Sequence, residues 1–163
     1  GFSAAYHRPH WPPRARARME RLDHAGIYLL LASTYTPISL ALPHAQGATL
    51  RTVVWLGALA GTVQSTFWMS ASKPLVAAIY VALGWAILPY VGALYAAAGA
   101  WPLALLLGGG VVYSLGAVVY ARKSPDPVPA VFGYHEVFHA MVVLAAVIHF
   151  AAVVLVLRRF PGG

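Results

Sequence analysis

The chain has 163 residues, of which 60% are hydrophobic and only 9% charged, and its mean hydropathy is +0.70. A soluble domain carries about 25% charged residues, so a soluble globular protein is excluded and an integral membrane protein is expected. Cysteine is absent, which removes disulfides and thiolate zinc sites, and the net charge of +7 does not signal nucleic acid, because the basic residues fall between apolar runs, where membrane topology puts them.

At roughly 20 residues per span, this length allows one bundle of about six spans. Residues 2–7 read as the tail of a helix. The chain begins Gly1-Phe2-Ser3 with no leader pattern, and we read residues 1–163 as one transmembrane domain truncated at its N-terminus. A basic loop follows, with Arg8, Arg14, Arg16, Arg18 and Arg21. The second helix is expected over about residues 23–42, with Pro37 as a kink, and the third over about 50–70. The fourth begins near Pro74, a residue suited to a first turn, and reaches the region 89–94. The fifth covers about 102–120. A loop with Pro125, Pro127 and Pro129 leads into the last helix, about 134–158. The fold class is therefore all-α: a polytopic transmembrane bundle of about five complete spans plus the tail of another.

Charge orients the bundle. Loops alternate sides, and the three that share a side hold eight basic residues, against three (Arg51, Arg158 and Arg159) on the other. The positive-inside rule makes the first side cytoplasmic and the C-terminus external.

The same parity assembles a site. His135 and His139 lie four residues apart, about 40° around a helix axis, and two imidazoles at that spacing can grip one metal ion. They open the last span on the cytoplasmic side. His7 ends its helix on that side and Asp23 begins the next one there. Ser3 lies one turn deeper than His7, on the same face. Three imidazoles and a water would make a tetrahedral zinc site with one open position. Asp23 could then serve as general base, and Ser3 could orient the water or the developing oxyanion.

The order Ser3-Ala4-Ala5-Tyr6-His7, then Arg21-Leu22-Asp23-His24, then Thr34-Tyr35-Thr36-Pro37 resembles hemolysin III proteins of the progestin and adiponectin receptor group. Gly84-Trp85, the stretch from Gly108 to Gly116, Tyr120-Ala121-Arg122-Lys123 and the last helix with His149-Phe150 extend the resemblance over nearly the whole chain. It implies a seven-helix fold, zinc ligands at His7, His135 and His139, an aspartate near the metal at Asp23, and a serine at Ser3. Alkaline ceramidases are related to this group, which implies zinc-dependent hydrolysis of a lipid amide, with a role in membrane lipid homeostasis and membrane lipids as the partners. A bacterial inner membrane is the expected location.

Two alternatives stay open. One is a non-enzymatic protein, a cytolytic pore-former or a receptor-like sensor with structural zinc. The other is an intramembrane metalloprotease, because His135-Glu136-x-x-His139 also fits a zinc-protease signature with Glu136 as base. Elsewhere, His149 reads as a neutral interhelical hydrogen-bonding group and His24 and His44 as loop or helix-end residues. Thr34 is expected to bond across helices, Gly108–Gly110 and Gly116 to admit close packing, Tyr113 and Tyr120 to pack in the core, with cavity lining the alternative their seven-residue spacing leaves open, and Trp11, Trp55 and Trp101 to act as interfacial anchors.

Overall fold

The computed structural model describes residues 11–68, 72–128 and 131–159. Helix α1 spans Pro13–Leu40, α2 His44–Phe67 and α3 Lys73–Gly84. A 3-10 turn, Leu88–Tyr90, leads into α4, Val91–Ala98. Helix α5 covers Ala100–Arg122 and α6 Tyr134–Arg158. The most extensive packing is α5 on α6 and α1 on α2, with α3 on α5 and α1 on α6 joining the two pairs.

Helix α1 starts ten residues before the expected position. Pro13 occupies its first turn, and the Arg, Ala, Met and Glu residues that follow are good helix formers with no breaker among them. Arg14, Arg16, Arg18 and Arg21 therefore ride on exposed helix rather than in a loop. Beyond them the buried positions Tyr28, Leu31, Ala32, Tyr35 and Ile38 recur at helical spacing and meet the buried stripe Gly47, Leu50, Val54, Ala58, Gly61 and Ser65 of α2. A β-carbon at Gly61 would stand 2.1 Å from the Tyr28 ring, so glycine sets the α1–α2 distance there.

The fourth expected helix is broken after Gly84. Leu88 N–H, which would close the helical turn on Gly84 O, bonds instead to Trp85 O at 3.1 Å. The Tyr35 hydroxyl of α1 donates to the freed Gly84 carbonyl, as a buried carbonyl inside an apolar segment requires. The chain from α4 to α5 turns on Gly99 alone, at φ +79°, a left-handed conformation that suits glycine.

Among the described residues, three segments are long and apolar enough to cross a bilayer: Pro74–Ala98 of 25 residues, Ala100–Arg122 of 23 and Tyr134–Arg158 of 25. Helices α1 and α2, at 28 and 24 residues, have the length but more polar content. Apolar side chains face outward along the spans, for example Val147 and Phe150 on α6, 61% and 68% exposed, which suits lipid rather than water.

The loop before α6 fixes where that helix begins. Val128 N–H bonds to Phe132 O at 3.1 Å and Phe132 N–H to Val128 O at 2.7 Å. Asp126 Oδ1 accepts from Tyr134 N–H at 2.8 Å, and Glu136 Oε2 accepts from Gly133 N–H at 2.9 Å. These carboxylates satisfy backbone donors that a helix N-terminus leaves without partners.

Candidate metal centre

The capped start of α6 presents His135 and His139 on one face. Their Nε2 atoms are 3.0 Å apart, with rings edge-to-face at 84° and centroids 4.6 Å apart. Two nitrogens bound tetrahedrally to one zinc at about 2.0–2.1 Å would stand roughly 3.3 Å apart, so this pair fits a shared metal with a few tenths of an ångström of opening. Phe138, buried between them in sequence, packs its ring 5.3 Å from that of His139 and 5.0 Å from that of Tyr120.

Helix α1 brings Asp23 to the same place. Its side chain is buried, at 8% exposure, and it lines one pocket with His135 and His139. A carboxylate buried this deeply is costly without charged or hydrogen-bonding neighbours, and the pocket is where such neighbours converge. Three of the five expected site residues, Asp23, His135 and His139, are thus brought together. Ser3 and His7 lie outside the described residues. Among the described residues no three His, Cys, Asp or Glu side chains are grouped closely enough to hold a metal, so the two imidazoles fit as a partial ligand set.

Sequence reasoning missed part of this pocket. His24, expected at a helix end, sits within α1 and places Nε2 3.5 Å from the Tyr120 hydroxyl, while the Tyr80 hydroxyl donates to His24 O at 3.4 Å. All three line the pocket. The available signal was the adjacency of His24 to Asp23. Glu136 is exposed and turned back onto the helix start; it is not among the pocket's lining residues.

Beside the pocket lies a small apolar cleft. Ile27, Tyr80 and Phe138 line both. The stripe continues along each helix: Asp23, Ile27 and Leu31 on α1, and Phe138, Val142 and His149 on α6. From α5 come Gly110, Tyr113, Ser114 and Ala117. Tyr113 and Tyr120 thus line cavities, the alternative their spacing leaves open, and Tyr120 is buried as well.

At the far end of the cleft His149 Nε2 meets Leu106 O of α5 at 3.0 Å, the interhelical bond expected for it. A β-carbon at Gly109 would lie 2.2 Å from the His149 ring, so this glycine admits the imidazole, whereas Gly108 faces open space. Trp85 Nε1–H donates to Ser114 Oγ at 2.9 Å, and Ser114 Oγ–H to Gly110 O at 2.8 Å. Thr34 bonds to Leu30 O of its own helix and makes no cross-helix bond among the described residues.

Residues 1–150 match the family described as haemolysin-III related. The chain is 33% identical over 144 residues to the Hemolysin-3 homolog of Bacillus subtilis (strain 168), covering 88% of this chain and 65% of that protein. It is 34% identical over 120 residues to Hemolysin-3 of Bacillus cereus, covering 73% and 54%. The heptahelical transmembrane protein ADIPOR2 of Oryza sativa subsp. japonica is 31% identical over 163 residues, covering 89% of this chain and 70% of that one. The chain thus spans between about half and two thirds of the length of the two Bacillus relatives. No solved structure matches. With its long apolar helices, the chain belongs to the hemolysin III family of the progestin and adiponectin receptor group and is an integral, multi-pass membrane protein.

Proposed function

We propose that the protein is a zinc-dependent hydrolase acting on a lipid amide, serving membrane lipid homeostasis. The observation that carries this reading is the convergence of His135, His139 and the buried Asp23 in one pocket beside an apolar cleft. His135 and His139, with His7, would hold the metal. Zinc, when bound, would supply Lewis-acid chemistry, acidifying a water and polarising a carbonyl.

The chain's own residues do the rest. The Asp23 carboxylate takes a proton from the water as its oxygen bonds to the amide carbon. The same carboxyl then delivers that proton to the amide nitrogen as the C–N bond breaks, leaving a fatty acid and an amine. The Tyr120 hydroxyl, beside His24, donates toward the pocket, and Ser3 orients the water. Ile27 and Phe138, shared by pocket and cleft, seat the acyl chain and exclude bulk water.

The protease alternative loses support from Glu136, whose exposed carboxylate caps the helix. A receptor-like or cytolytic protein with structural zinc would need the same histidines, and the buried Asp23 favours chemistry over it. Purified full-length protein is expected to hold about one zinc per chain, and His139→Ala to lose it, because two imidazoles and a water make a weak site. Undiminished zinc in that variant would remove the assignment.

A further inference from the structure

We propose that the far end of the cleft is a second recognition site, which takes a hydroxyl carried in the middle of an acyl chain. The proposal rests on the reading of the pocket as the place where the lipid's carbonyl reacts.

An apolar tail needs only an apolar wall, and most of this cleft provides one. Its end does not. Tyr113 and His149 lie there with ring centroids 5.4 Å apart. The Tyr113 hydroxyl makes no hydrogen bond among the described residues. His149 is differently placed: a carbonyl only accepts, so the bond to Leu106 O puts the proton on Nε2 and leaves Nδ1 of the neutral ring as an acceptor. Both rings line the same end of the cleft, and the Tyr113 hydroxyl, which can donate and accept, is the group an alcohol would meet there. Ser114 and Trp85 do not compete, since each is engaged with the other and with Gly110 O. A polar group inside a membrane span is a functional candidate by default, and interhelical bonding alone explains Nε2 of His149 but not the Tyr113 hydroxyl.

The geometry selects a position on the chain. His149 lies ten residues beyond His139, roughly 15 Å along the helix. An extended chain advances roughly 1.2 Å per bond, so the hydroxyl is placed about a dozen carbons from the reacting carbonyl. The substrate class is then a mid-chain hydroxylated acyl amide, and the released acid keeps the hydroxyl.

Binding of stearic, 2-hydroxystearic and 12-hydroxystearic acid to the purified, zinc-loaded full-length protein tests this without requiring turnover. The 12-hydroxy acid is expected to bind about tenfold tighter than stearic acid, as one well-made hydrogen-bonded pair allows, and 2-hydroxystearic acid no tighter than stearic acid. Tyr113→Phe keeps the ring and removes the hydroxyl; it is expected to abolish the preference and leave stearic acid affinity within about threefold. His149→Phe provides the second reading. Equal affinities for all three acids would mean that the cleft end holds water only, and would overturn the proposal. So would a preference that survives in both variants. Amide hydrolysis is measured separately: lipid-amide turnover with no 12-hydroxyl preference would overturn this proposal and leave the hydrolase reading standing.

Discussion

At the residue scale, a single carboxylate separates an enzyme from a protein that merely stores zinc. Asp23 is buried in the pocket that His135 and His139 line, and in the proposed site the ligands are histidines alone. Asp23→Asn keeps size and hydrogen bonding while removing the base. The variant is expected to fold and retain zinc but to lose lipid-amide turnover by roughly 100-fold or more, the scale of a missing general base. Wild-type turnover at full zinc content would shift the reading to structural zinc. Glu136→Gln is the paired control. Because Glu136 caps Gly133 N–H, this change is expected to leave turnover within about threefold and to cost at most about 1 kcal/mol of stability, read from the thermal midpoint, as loss of a capping interaction does. A turnover collapse there would revive the protease-like assignment.

At the element scale, legibility followed how local the determining physics is. Helix α6 was read with the bounds the structure has, Tyr134–Arg158, because an unbroken apolar run and a proline-rich loop mark it without reference to other helices. Helix α1 begins ten residues before the apolar pattern does, because its arginines, which a charge pattern assigns to a loop, have a helical intrinsic preference. The break after Gly84 depends on Tyr35 reaching across from α1 to take the freed carbonyl, which no local pattern reveals. The meeting of His24 with Tyr120 is hidden for the same reason: it spans 96 positions of sequence. Gly109 shows how such a contact constrains an element. Alanine ordinarily stabilises a helix by about 1 kcal/mol over glycine, but here its β-carbon would strike His149, and overpacking costs about 1–3 kcal/mol. Gly109→Ala is therefore expected to lower the thermal midpoint in detergent, and to become neutral or stabilising on a His149→Ala background. Additive effects in that cycle would show that the two residues do not touch.

At the scale of the whole molecule, the candidate site depends on helix parity. Asp23 lies on α1 two residues beyond Arg21, the last of its exposed arginines, while His135 and His139 open α6; they line one pocket only because α1 and α6 begin at the same end of the bundle. That end carries Arg14, Arg16, Arg18 and Arg21 near the start of α1, and Arg122 with Lys123 at the end of α5. Basic residues of this density are retained on the cytoplasmic side, so the proposed metal centre is expected to face the cytoplasm. Arg158 and Arg159, at the opposite end of α6, weakly oppose this orientation, and the excess of eight basic residues over three decides it. A reporter fused after Lys123 is expected to read cytoplasmic, and one fused after Gly163 external. If both report the same side, α6 does not span, and the joint placement of Asp23 with His135 and His139 loses its basis. If both read on the sides opposite to those expected, the pocket survives but faces outward, and its lipid amide must come from the outer leaflet. Moving Arg158 and Arg159 to glutamine would then separate local charge from helix parity: an orientation set by the larger basic cluster is expected not to change.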